Sequence, residues 1–122
     1  MGNPAPWVYI SGPLSTGGLM AGNARRAMEW WEKLWRIGVH PICPHWSLLQ
    51  EFVQEHPWEE WLAYDETIIT RCDALLRIPG ESRGADREVG FAVGLGKPVF
   101  FASPSVLGSL ERWKGQWRPS NV

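Results

Sequence analysis

The residues of this chain best suited to chemistry gather around one stretch near position 88. In the run Ser82-Arg83-Gly84-Ala85-Asp86-Arg87-Glu88-Val89-Gly90-Phe91-Ala92, helical spacing puts Glu88 on one face with Ala85, Val89 and Ala92, the stripe that packs inward. A carboxylate is costly to bury, but the positive end of a nearby helix N-terminus can hold it ionised. The competing arrangement turns Glu88 to the helix edge as a surface ion pair with Arg83 or Arg87. Just upstream, Gly80-Glu81-Ser82-Arg83-Gly84 offers backbone N–H groups, a hydroxyl and a guanidinium at a strand-to-helix turn, a set that suits a phosphate. Ser82 could equally do no more than cap the helix. Asp73 is a second carboxylate that could pair with Glu88 for nucleophile and acid duties, or simply end the preceding helix. Tyr9 and Ser11 share one face of a first strand, where a phenol can orient a carboxylate or merely fill the core.

Other polar residues are less easily joined to a site. His40-Pro41-Ile42-Cys43-Pro44-His45 contains three metal-ligating side chains, but strand alternation scatters them and no fourth ligand is evident, so neither a metal nor a cofactor is expected. His45, at a strand end beside Trp46, reads as a ligand contact or a satisfied core histidine. Asp65 falls on the same helix face as Trp58, Trp61, Leu62, Ile68 and Ile69, which suggests a buried hydrogen-bonding task.

The elements that must position these groups follow from punctuation and periodicity. Val8 to Ser11 is a strand, followed by a Gly-, Ser- and Thr-rich loop to Gly22. Asn23 is the expected N-cap of a helix whose apolar positions run from Ala24 to Trp35 and stop at Gly38. Val39 to Cys43 reads as a strand that Pro41 confines to a sheet edge. A short helical piece near Leu48 to Val53, a helix from about Pro57 to Arg71, and a strand from Ala74 to Ile78 come next. The Glu88 helix then runs to about Leu95, with Gly96 as its stop. Pro98 to Ala102 is a last strand, and Ser105 caps a final helix carrying Val106, Leu110, Trp113 and Trp117 on one stripe. Strands alternating with helices imply an α/β fold with a mainly parallel sheet, helices on both faces, and ligands at the carboxyl ends of the strands.

Composition narrows the classes of partner. The 122 residues suit a single domain spanning 1–122, and a net charge of −1 gives no electrostatic case for polymeric nucleic acid or a membrane surface. The two cysteines, Cys43 and Cys72, read as reduced, buried thiols, and no signal peptide or apolar run of membrane-spanning length is visible, so a cytoplasmic location is expected. Nine tryptophans are many for this length. Trp30 and Trp31 are adjacent on a helix and cannot both face one core, so a homodimer or higher homo-oligomer is expected.

Taken in order, Tyr9-Ile10-Ser11-Gly12-Pro13, Pro44-His45, Cys72-Asp73-Ala74-Leu75-Leu76 and Ser82 to Ala92 resemble the nucleoside 2-deoxyribosyltransferase superfamily over roughly residues 7 to 110. The likeness is nearest to its nucleoside 5′-monophosphate N-glycosidase branch and phage-type or bacterial relatives. This resemblance implies a flavodoxin-like, Rossmann-like three-layer sandwich with a four- to five-stranded parallel sheet, and a retaining double displacement at C1′ of a nucleotide sugar. It casts Glu88 as nucleophile, Asp73 as the residue assisting departure of the base, and Tyr9 as the positioning tyrosine. Ser11, Gly12, His45, Ser82 and Gly84 fall to substrate binding. Transferases acting on free nucleosides carry aspartate at the position of Ser82, where a carboxylate would repel phosphate, so serine implies a nucleoside monophosphate substrate. Ser109 is similar to a serine that relatives place in a neighbouring subunit's pocket. The short tail after Trp117 departs from the pattern and puts a fifth strand in doubt.

Two further readings compete: a transferase moving deoxyribose between bases, and a nucleotide-binding sensor without chemistry. A flavin carrier would need a hydroxyl-rich phosphate loop, of which Ser15-Thr16-Gly17-Gly18 is a faint match, and a phospho-receiver an acidic cluster that is absent.

Overall fold

Short apolar runs form four strands, β1 (Trp7–Ser11), β2 (His40–Ile42), β3 (Ala74–Arg77) and β4 (Val99–Phe101), in a computed structural model that describes residues 4–14 and 20–119. They lie parallel in the order β2-β1-β3-β4. β1 is central: Tyr9 lies opposite Ile42 on one side and Leu75 on the other, and Ser11 lies opposite Arg77. A fifth strand is not among the described residues.

Strand alternation decides which helices cover which face. Val8, Ile10, Ala74 and Leu76 point to the layer of α1 (Met20–Arg36) and α5 (Val106–Gln116), where they meet Ala27, Leu34, Val106 and Leu110. Tyr9 and Leu75 point the other way, to α3 (Trp58–Arg71) and α4 (Arg83–Gly94), and pack with Ile69, Cys72 and Ala92. Helices on both faces of a parallel sheet make the expected three-layer α/β sandwich. Burying each large aliphatic side chain contributes about 1.5–3 kcal/mol, so two such clusters hold the layers together.

Local chemistry explains the boundaries. Gly38, at φ +85°, ends the turn after α1. Pro41 does place β2 at the sheet edge, and Trp31 Nε1 donates to its carbonyl at 3.0 Å. Cys43 and Cys72 are buried free thiols. The short α2 (Ser47–Glu51) follows a 3-10 turn at Pro44–Trp46 and leads into α3, whose first turn Pro57 precedes.

Two local expectations are corrected. Asn23 is not an N-cap: it lies buried within α1, and its Nδ2 donates to Leu14 O at 2.8 Å, tying the helix to the end of the β1 loop. Trp30 and Trp31 do not divide between core and surface. Both are partly buried against the α1/α5 cluster, with Trp31 stacked on Trp35 at 5.5 Å. Residues 15–19 of the loop after β1, including Ser15-Thr16-Gly17-Gly18, and the tail beyond 119 lie outside the described residues. Among those described, no helix is long and apolar enough to cross a membrane.

Candidate active site

The site forms where β1 ends and α4 begins. Ser82, in extended backbone, caps α4 by accepting from Ala85 N at 3.1 Å. That cap fixes the helical phase, and one turn later Glu88 points at the sheet, 7% exposed. Both of its oxygens are taken by β1: Tyr9 Oη donates to Oε2 at 2.7 Å and Ser11 Oγ donates to Oε1 at 2.7 Å. The surface ion pair with Arg83 or Arg87 does not form; Arg87 instead pairs with Glu66 at 3.3 Å.

Asp65, from α3, is the second carboxyl lining the site beside Glu88, and its Oδ1 is buried without a hydrogen-bond partner among the described residues. Two neighbouring carboxyl groups in a poorly solvated site disfavour each other's ionisation. Burial, then the Glu88 charge, pushes Asp65 up to about 7. Burial also raises Glu88, but the hydroxyls of Tyr9 and Ser11 oppose it by stabilising the anion. The two hydroxyls thus favour the charge on Glu88, while burial and that charge favour the protonated form of Asp65. Tyr9 is driven well above its usual range by burial and by the Glu88 charge, so it remains a donor.

A cavity of about 410 Å³ opens over this pair, a size that admits a small-molecule ligand. Its walls include Gly12, His45, Trp58, Trp61, Ser82 and Gly84. A Cβ on Gly12 would lie 2.1 Å from Ile78 Cγ1, so only glycine lets the chain pass there. His45 is buried; its Nε2 donates to Pro13 O at 2.9 Å, which leaves Nδ1 an acceptor without a partner. Burial lowers its pKa, so the ring is neutral. Arg83, the first residue of α4, brings a cation to the rim, beside the helix's N-terminal N–H groups.

Of the residues read from sequence, Glu88, Tyr9, Gly12, His45, Ser82 and Gly84 come together, and Ser11 joins them in a different role. It is fully buried and bonds Glu88 instead of lining the cavity. Asp73 does not join them. Its Oδ2 accepts from Trp7 N at 2.9 Å, where β1 and β3 begin, a strand's length from Glu88. Asp65 takes the place assigned to it. Ser109 lies on α5, on the opposite face of the sheet, donating to Ser105 O at 3.5 Å and accepting from Arg112 at 3.3 Å. Trp46 is 58% exposed and lines a neighbouring groove with Tyr64.

The sequence reading missed Trp58 and Trp61 as cavity walls, although their spacing with Asp65 already put all three on one helix face. It also missed Arg77, whose guanidinium donates to Ile78 O at 2.6 Å and Gly80 O at 2.9 Å and pairs with Asp86 at 2.8 Å. These bonds pin the turn that presents Ser82. His40 lies tilted against Trp7 with ring centroids 4.8 Å apart, and among the described residues no group of three or more His, Cys, Asp or Glu side chains is placed to hold a metal.

The pattern of a family described as "Domain of unknown function (DUF4406)" matches residues 6–101. The chain belongs to this family. No curated protein matches this DUF4406 chain. Among solved structures it is similar to "2-desoxiribosyltransferase from Leishmania mexicana", with a TM-score of 0.60 and 19% identity over 80% of this chain. The match covers 63% of that protein's length. The DUF4406 chain and that protein thus share a fold, a parallel α/β sheet between helical layers.

Proposed function

We propose that this protein hydrolyses the N-glycosidic bond of a ribo- or deoxyribonucleoside 5′-monophosphate through a glycosyl-enzyme on Glu88. The observation that carries the reading is the buried Glu88 carboxylate, held by Tyr9 and Ser11, lining one cavity together with a second carboxyl, Asp65, that burial pushes up to about 7. A carboxylate held ionised next to a neutral acid is the division of labour that a retaining glycosyl transfer needs. Glu88 attacks C1′, the C1′–N bond breaks, and the departing base takes its proton from Asp65. Water then attacks C1′, gives a proton to the Asp65 carboxylate, and releases the sugar 5-phosphate and free Glu88. The account needs no cofactor.

The phosphate end of the substrate falls to Ser82, Gly84 and the first N–H groups of α4, with Arg83 at the rim. The rings of Trp58 and Trp61 give the base apolar walls. The same fold in a deoxyribosyltransferase makes nucleoside chemistry the natural class. We further assign the protein to the cytoplasm and to a homo-oligomer in which Ser109 serves a neighbouring copy. Leu49, Phe52 and Val53, all more than half exposed, supply apolar surface for such contact.

Incubation with individual ribo- and deoxyribonucleoside monophosphates, with chromatographic detection of free base, tests the reading. Appearance of a new nucleoside when a second base is supplied assigns transfer instead of hydrolysis. Tight binding of a monophosphate without base release assigns a sensor.

A further inference from the structure

Glu88 is held by two hydroxyls that are not equivalent. Tyr9 and Ser11 are two residues apart on one face of β1, so Ser11 lies about 6–7 Å further toward the carboxyl end of the strand, the end where the adjoining Gly12 lines the cavity. The oxygen that Ser11 holds, Oε1, is therefore the one nearer the ligand space, and Oε2, bonded to Tyr9, is the inner one. Ser11 Oγ also has a second acceptor, Ala85 O at 3.4 Å, one turn before Glu88 on α4. A hydroxyl has one proton to donate, and the 2.7 Å contact takes it while Oε1 is anionic.

We propose that Ser11 is a positioning residue for the attacking oxygen of Glu88, holding Oε1 toward the cavity while it is a free carboxylate and turning its proton to Ala85 O once that oxygen bonds C1′. The inference rests on the N-glycosidase reading and extends it, because it names the attacking oxygen and a two-position donor. In the first step, loss of charge at Oε1 weakens its claim on the Ser11 proton, and Ala85 O keeps the buried hydroxyl satisfied. In the second step, water attacks C1′, the C1′–Oε1 bond breaks with its electrons returning to Oε1, and the Ser11 proton swings back to the new carboxylate. No atom is gained or lost by Ser11 in either step.

The test compares the parent, Ser11→Ala and Ser11→Thr by two readouts. Carbon NMR of 13Cδ-glutamate-labelled protein follows the ionisation of Glu88 directly, and kcat/KM for the cleaved monophosphate is measured across pH. Ser11→Ala is expected to shift the Glu88 titration, and the acid limb of kcat/KM, to higher pH and to lower kcat/KM ten- to a hundredfold, the loss of one hydrogen bond to a charge. Ser11→Thr, which keeps the hydroxyl, is expected to restore both. Should alanine unfold the chain, Ser11→Cys, a weaker donor of similar size, gives the same comparison. An unmoved Glu88 titration in the hydroxyl-free variant overturns the proposal. The titration decides the role of Ser11 even where the parent releases no base from any monophosphate, the result that defeats the N-glycosidase reading itself.

Discussion

Tyr9 Oη sits 2.7 Å from Glu88 Oε2, joining the central strand of the sheet to the second turn of α4 by one buried hydrogen bond. The phenol stays protonated because burial and the Glu88 charge both disfavour its anion, so it always donates. Tyr9→Phe removes this donor and leaves the ring packed. Without it the anion of Glu88 is less favoured, so the acid limb of kcat/KM is expected to move to higher pH and kcat to fall about ten- to a hundredfold. Steady-state kinetics across pH provide the check, and an unchanged acid limb would remove Tyr9 from the account.

Asp65 carries the opposite burden. Its folded pKa of about 7 lies far above that of an exposed aspartate, so between about pH 4 and 7 the folded chain binds the proton that the unfolded chain has lost. Stability from this group is full below pH 4 and declines as pH rises through 7. Asp65→Asn cannot lose that proton, and is expected to be more stable than the parent at pH 8, on the order of 1–3 kcal/mol, and to match it more closely at pH 5. Its base release is expected to fall at least about a hundredfold through loss of the acid. Denaturant titrations at the two pH values test the first part; equal stabilities at pH 8 would show that Asp65 is not held neutral.

Ser82→Asp preserves a good helix cap but sets a carboxylate at the proposed phosphate site. Cleavage of monophosphates is expected to drop about a hundredfold or more through like-charge repulsion, while cleavage of the matching nucleoside is retained or raised. Competition between the two substrates measures this directly, and an unchanged preference would move the phosphate elsewhere.

Gly12→Ala introduces a Cβ 2.1 Å from Ile78 Cγ1, against a strand-end side chain that is itself buried. A loss of about 1–3 kcal/mol is expected on equilibrium unfolding, with weakened ligand binding, because Gly12 also forms the cavity wall. Stability within experimental error of the parent would mean that the β1 loop yields.

Much of this arrangement was legible in the sequence because it is local. The Ser82 to Ala92 run carries its cap, its inward face and its buried carboxylate within three turns, and Pro41 alone placed β2 at the sheet edge. What failed depended on the third dimension. Asp73 is next in sequence to the site strand, but a parallel strand has two ends, and Asp73 lies at the one that faces away from the cavity. Asp65, on an apolar face where a carboxylate looks misplaced, was the better signal, since an ionisable group on a buried stripe asks for a partner on another element. Ser11 was legible as a site residue but not as a contact of Glu88, because the helix that brings Glu88 to it begins 72 residues later.

The most direct measurement is release of free base from each ribo- and deoxyribonucleoside 5′-monophosphate by the parent and by Glu88→Ala, assayed side by side at pH 6. The account predicts base from at least one monophosphate with the parent and a loss of at least about a thousandfold with the variant, which keeps the cavity but lacks the nucleophile. Base release that survives in Glu88→Ala would contradict the assignment of Glu88, and no release by the parent from any monophosphate would contradict the N-glycosidase account as a whole.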